Sequence, residues 1–224
     1  GDAIHFADGV QLNVPSLLTL DATTLSGAAS INSSTLVLTN TSNITATANQ
    51  LSPGTGAFAA NAGFIDIQGN VAISDVAVTR LQSRSDIRGR GIDAKLKSTA
   101  SLTAPGAIEL DAAQIYPATA TDFTVTATGP DSRIQVSNSA HGSSAVPLSA
   151  TGSLTLNAET IVQGGVIRAP LGQITINAPG SLTLTPGSVT SVSAEGSLIP
   201  YAVTVLGGTE LADAPGTINN FLKV

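Results

Sequence analysis

Gly152-Ser153-Leu154-Thr155-Leu156-Asn157-Ala158 and Gly172-Gln173-Ile174-Thr175-Ile176-Asn177-Ala178 are two copies of one phrase. In each, two aliphatic residues flank one polar residue. That alternation is the period of a strand, whose side chains point to opposite faces in turn. Leu154 and Leu156 therefore read as inward and Thr155 as outward. The Gly before each strand and the Asn-Ala after it are turn chemistry. Further copies stand at Gly180-Ser181-Leu182-Thr183-Leu184-Thr185-Pro186, at Gly106-Ala107-Ile108-Glu109-Leu110-Asp111-Ala112, and at Leu18-Thr19-Leu20-Asp21-Ala22. Related strands are expected at Leu36 to Leu38, Ile65 to Ile67, Phe123 to Val125 and Ile134 to Val136. Ile134, Leu154 and Ile174 are evenly spaced, and the step from Leu18 to Leu36 is only slightly shorter. Such a spacing, about 20 residues, lies at the short end of solenoid repeats. It fits one turn of a parallel β-helix with tight corners. A β-sandwich would also show short alternating strands. It is disfavoured because the phrase recurs nearly unchanged and Asp8-Gly9 is the one clear hairpin dipeptide.

The composition agrees. Only 11% of residues are charged and 3% aromatic, against 42% hydrophobic, so the core must be Leu, Ile, Val and Ala. Disordered chains have the opposite balance. Repeated aliphatic layers suit this inventory better than one central core does. With no Cys, disulfides and thiolate metal sites are excluded, and stacked repeats hold one another without such staples. The chain has no Met and starts at Gly1, which reads as a piece of a longer protein. No leader-like segment opens it, so the export signal is expected outside this piece. A net charge of −6 argues against non-specific nucleic-acid binding.

The reading is thus a single β-helical segment over residues 1–224, all-β, with irregular insertions. Residues 39–63 are poor in large apolar side chains and are expected as an irregular coil or loop leaving the stack. Residues 76–97 form a basic interruption and hold the one helical candidate, Val76 to Arg90, on a loose stripe of Val76, Leu81 and Ile87. Residues 197–224 are expected to be a less regular end. About ten coils would make a rod roughly 50 Å long.

Three ordered phrases carry a family resemblance: Gln114-Ile115-Tyr116-Pro117-Ala118-Thr119-Ala120-Thr121-Asp122-Phe123, Ile161-Val162-Gln163-Gly164-Gly165-Val166-Ile167-Arg168-Ala169-Pro170-Leu171-Gly172, and Pro186-Gly187-Ser188-Val189-Thr190-Ser191-Val192-Ser193-Ala194-Glu195-Gly196. With the strand phrase, they resemble the filamentous haemagglutinin family of large bacterial exoproteins of two-partner secretion, in the region downstream of the secretion domain. The likeness is strongest from Gly106 to Tyr201 and weakest between Thr39 and Gly63. Ala202 stands where the family pattern would have Gly. The resemblance implies a right-handed parallel β-helix, secreted or held at the bacterial cell surface. It also implies an outer-membrane transporter as partner of the parent protein, and a role in adhesion or as a shaft. It supplies no catalytic residues for this region.

Of the nine basic residues, six lie between Arg80 and Lys97. Arg80, Arg84, Arg88, Arg90, Lys95 and Lys97 are therefore the candidate binding patch for a polyanion, such as a sulfated glycan or lipopolysaccharide phosphate. Arg84 and Arg88 would share a face if this segment were helical. The competing reading is a solvated turn whose arginine stems cover apolar surface. Glu109 and Asp111, two apart on a strand, both face outward and are the main route to a polysaccharide-active enzyme. Lone surface carboxylates are more often simply solvated, and the expectation is no enzyme and no cofactor. His5 and His141 have no metal-site spacing. No nucleophile elbow, phosphate loop or dinucleotide fingerprint is present. Asp21, Asp111, Asn157 and Asn177 occupy one place in the repeat and are expected to stack as a corner ladder.

The primary expectation is a structural and adhesive segment of an exoprotein, with a cell-surface glycan or host receptor as partner and no nucleic acid. The alternatives are a fibre subunit that stacks end to end through open strand edges, and a β-helix enzyme.

Overall fold

A chain with alternating aliphatic residues and few long apolar runs can bury only one face of each strand, so its strands must line up with those faces on a common side. The computed structural model describes residues 2–42, 44–92, 98–138 and 145–196, together with four short strand segments beyond them. The chain is all-β, and seventeen strands form one parallel sheet. They are β1 (Ala3–His5), β2 (Val10–Asp21), β3 (Thr24–Ser26), β4 (Ala29–Thr39), β5 (Pro53–Gln68), β6 (Asn70–Ser74), β7 (Val76–Ser83), β8 (Asp86–Arg90) and β9 (Ser98–Asp111). Then come β10 (Gln114–Pro117), β11 (Thr121–Ser137), β12 (Ser153–Asn157), β13 (Thr160–Gln163), β14 (Val166–Arg168), β15 (Gln173–Asn177), β16 (Ser181–Leu184) and β17 (Val189–Ser191). Farther on, β18 (Leu198–Pro200) pairs antiparallel with β21 (Phe221–Lys223), and β19 (Val203–Val205) with β20 (Gly208–Glu210).

Pairing sorts the parallel strands into three columns. In the first, Leu12, Ile31, Ala60, Leu81, Leu110, Val136, Gln163 and Leu184 lie in register on eight rungs. In the second, the in-register residues are Leu18, Leu36, Ile65, Ile87, Ile115, Ile167 and Thr190. The third runs Ile4, Leu25 and Ile73, then steps within β6 to Val71, Leu102, Val125, Leu156 and Ile176. The long strands β2, β4 and β5 serve the first two columns, and β9 and β11 the third and first. Wherever the strand order is complete, the chain visits the columns in the same rotation: third, first, second. Inward residues from all three columns belong to one apolar cluster. Most of the aliphatic members are fully buried, each stabilising by about 1.5–3 kcal/mol relative to exposure. Phe58 and Phe123 are the largest fully buried side chains, and the Phe6 and Phe58 rings meet with centroids 5.8 Å apart.

The glycine that opens the repeated phrase has a packing reason. A Cβ at Gly172 would lie 1.7 Å from the carbonyl oxygen of Gly152 on the rung beside it. No side chain fits between those corners.

Several expectations need correction. Leu154 and Ile174 do stack, as do Leu18 and Leu36, but Ile134 stacks on Ile161 in a different column. The even spacing of Ile134, Leu154 and Ile174 thus joins two columns by coincidence. Steps along the first column are uneven because corners differ in length: Ile31 to Ala60 is half as long again as Leu12 to Ile31. Among the described residues the column has eight rungs, against about ten coils expected of the whole chain. The irregular stretch of 39–63 shrinks to 40–52, which holds the one helical turn among the described residues, Ala48–Gln50; Pro53–Gln68 is a strand. Ala57, Ala59, Ala60 and Ala62 pack there as small strand residues, which hides the pattern. Val76 to Arg90 is not helical: β7 and β8 fill it, since Val76, Leu81 and Ile87 are buried at strand positions. A second excursion separates β11 from β12, and its described residues, 145–152, form no strand. Because each excursion replaces a strand, β3 pairs directly with β6 and β10 with β14.

Candidate functional site

Outward positions on β7, β8 and the turn joining them carry the described arginines of the basic cluster. In a strand, alternate residues leave the core, so Arg80 and Gln82 follow from inward Thr79, Leu81 and Ser83, and Arg88 and Arg90 from inward Ile87 and Gly89. The cluster is not one patch. Arg80 lies on the first column and donates from Nε to Glu109 Oε2 at 2.7 Å, one rung on. Arg88 lies on the second column and donates from Nε and Nη2 to the two oxygens of Asp66, both at 2.9 Å. Arg90 Nε sits 3.5 Å from Asp66 Oδ2, and Gln68 Nε2 donates to the same oxygen at 2.8 Å. Lys95 and Lys97 lie outside the described residues.

Asp66 is a residue that sequence reasoning does not pick out. Its side chain is only 5% exposed, and it holds two arginines. The available signal is its register: it occupies the outward slot between Ile65 and Ile67, with Arg88 in the corresponding slot between Ile87 and Gly89. The Arg88 guanidinium also lies 5.2 Å from the centroid of the Phe64 ring. The Asp66 carboxylate raises the Arg88 pKa above its ordinary value. Burial raises that of Tyr116, the next outward residue in the column, with the Asp86 carboxylate adding to it. Gln114 Nε2 bridges Asp86 Oδ2 at 3.2 Å and the carbonyl of Ala145 at 3.0 Å, which ties the second excursion onto this column.

Arg84 is different. It is exposed at the turn between β7 and β8, and it makes no ion pair among the described residues. It closes one side of a cleft of about 320 Å3 whose other walls include Asn13, Asn32, Ser34 and Asn61. A second cleft, of about 490 Å3, lies between the first excursion and the register break at 128–133 within β11, over Leu51, Pro53, Pro105 and Pro130.

The carboxylates considered for catalysis are both engaged: Glu109 by Arg80, and Asp111 by Gln82 Nε2 at 3.3 Å. His5 Nδ1 lies 2.9 Å from Ser26 Oγ, and His141 lies outside the described residues. The expected corner ladder divides among the columns. Asn177 Nδ2 donates to Asn157 Oδ1 at 2.7 Å in the third column. Asp111 belongs to the first column, and Asp21 to the second, where it accepts from Thr41 Oγ1 at 2.6 Å and from the Thr41 backbone N–H. Equal place in a sequence repeat does not mean equal place in space, because copies of the phrase pair in different columns. The longer polar column is Asn13, Asn32, Asn61, Gln82 and Asp111 on successive rungs.

Among the described residues no helix is long and apolar enough to cross a membrane. No family model, curated protein or solved structure matches the chain.

Proposed function

We propose that the chain is a non-catalytic shaft and adhesive segment of a secreted or surface-held bacterial exoprotein, built as a right-handed parallel β-helix. One observation carries this reading: the chain returns to the same three parallel columns in constant rotation, around one aliphatic core. A wound sheet has that order, and its outward positions are free to present polar side chains along an axis. Handedness, export through an outer-membrane transporter, and kinship with filamentous haemagglutinins rest on the three sequence phrases. The engagement of Glu109 and Asp111 by Arg80 and Gln82 supports the non-catalytic half.

Beads coated with the chain should adhere to glycan-bearing cells above albumin-coated beads. Equal adhesion overturns the adhesive half, and release of reducing sugar from polysaccharide overturns the non-catalytic half.

A second reading has a specific observation behind it. On the last described rung of the first column, Leu182 and Leu184 stand at core positions yet are 46% and 59% exposed. A second copy stacking there would continue the columns and form a fibre. Sedimentation should then show concentration-dependent oligomers that Leu184→Glu abolishes. A monomer at all concentrations removes this reading.

A further inference from the structure

We propose that the cleft beside Arg84 binds an acidic oligosaccharide, with the sugar's carboxylate or sulfate on Arg84 and its hydroxyls on the amide column Asn13-Asn32-Asn61. The proposal rests on the non-catalytic, surface-presenting reading above and names the ligand class for it.

Charge accounting singles out Arg84. Glu109 pairs with Arg80, and Asp66 holds Arg88 by two hydrogen bonds and Arg90 by a longer contact of 3.5 Å, so each of these three has a carboxylate partner. Arg84 alone among the described arginines of this segment offers an unpaired planar fork, the geometry that takes carboxylate or sulfate by two parallel hydrogen bonds.

The neighbouring groups suit sugar hydroxyls. Asn13, Asn32 and Asn61 project from successive rungs, all exposed. One bond joins the first two, from Asn32 Nδ2 to Asn13 Oδ1 at 3.0 Å; the Asn61 amide makes none among the described residues. Each amide therefore keeps donor and acceptor capacity, which is what a hydroxyl needs. Rungs about 4.8 Å apart repeat at close to the advance of one hexose along an extended glycan.

Close packing at a corner brings Ser34 and Arg84 together. Gly63 sits between them and carries no side chain; a Cβ there would lie 2.5 Å from the Ser34 carbonyl oxygen. Ser33 also lines the cleft. It is more than nine-tenths buried, and its hydroxyl has no hydrogen-bond partner. Ser33 stands on the inward face of β4, behind outward Asn32 and Ser34, and so backs the cleft without presenting its hydroxyl to it.

The test is calorimetric titration of the full chain with three probes: an oligogalacturonate, a sulfated galactan oligosaccharide and a neutral galactan oligosaccharide. The expected result is binding of at least one acidic probe and not the neutral one. Arg84→Gln should weaken it about fivefold to tenfold and Asn61→Ala about threefold, while Arg80→Gln leaves it unchanged. Which acidic probe binds assigns the anion as carboxylate or sulfate. Equal binding of the neutral probe, an effect of Arg80→Gln equal to that of Arg84→Gln, or no binding of either acidic probe overturns the site. Thermal unfolding followed by circular dichroism runs alongside. A site that fails on a chain that still adheres to cells leaves the adhesive reading standing, and loss of both overturns both.

Discussion

Arg88 and Asp66 face each other across one rung of the second column, joined by two parallel hydrogen bonds of 2.9 Å. The two partners are not equivalent. Asp66 is almost fully buried and serves two arginines, whereas Arg88 keeps 31% of its side chain in water. Removing the carboxylate leaves two cations side by side, one of them desolvated over Phe64. Removing the guanidinium leaves Asp66 with Arg90 and Gln68. Asp66→Asn should thus cost about 2–3 kcal/mol, discounted from a fully buried pair because Arg88 is part exposed. Arg88→Met, which keeps an apolar stem over Phe64, should cost less. Urea unfolding of the two variants checks the order, and a larger loss for Arg88→Met would show that Arg90 does not compensate.

Gly89 occupies an inward slot beside Phe123. A Cβ there would lie 2.1 Å from the Phe123 ring, so Gly89→Ala should destabilise by about 1–3 kcal/mol through overpacking. Phe123→Leu should recover part of that loss in the double variant, although it costs stability alone. Strict additivity in a double-mutant cycle would separate the two sites.

Gln163 is a fully buried amide in a column of aliphatic residues, and every group of it is used. Its Nε2 donates to the carbonyls of Gly165 and Val189 and to Thr190 Oγ1, and its Oε1 accepts from the Gly165 N–H. Gln163→Leu matches the column by polarity but removes the partner of the Gly165 N–H and a donor to the Val189 carbonyl, at about 2–4 kcal/mol in total, while the Gly165 carbonyl keeps the Val189 N–H at 2.9 Å. Thermal unfolding measures it. A neutral substitution would mean that water or a local shift satisfies the Gly165 N–H.

Tyr116 gives a pH dependence with a definite sign. Burial, followed by the Asp86 carboxylate, raises its pKa above the ordinary 10.0 of the phenol. The unfolded chain therefore loses this proton first. The stabilising contribution is complete below about pH 10 and is lost as the pH climbs toward the folded-state value. Alkaline unfolding curves of the native chain should steepen in that window, and Tyr116→Phe should flatten them. Identical curves would place the alkaline loss elsewhere.

Strand periodicity is legible wherever both inward residues are large, as at Leu154 and Leu156 or Leu36 and Leu38, because burial of one face imposes the alternation directly. It is not legible at Ala57 to Ala62, where alanines fill the inward slots beside Phe58, nor across Val76 to Arg90, where a fortuitous helical spacing competes with it. The site divides in the same way. The density of arginines between Arg80 and Arg90 is plain in the sequence, but which of them are neutralised is not. That depends on Asp66 and Glu109, each far from its arginine along the chain and one rung away in space.

The sequence by itself determined that the chain is all-β, that its core is aliphatic, and that Leu154, Leu156 and their counterparts point inward. These follow from alternation and composition, which are local. Only the tertiary structure decided which strands stack on which, that the repeated phrase serves more than one column, and that Arg84 alone among the described arginines of its segment stands free beside the Asn13-Asn32-Asn61 amides. Register between rungs depends on the lengths of the intervening corners, which differ from one turn of the chain to the next, and no local pattern records their sum.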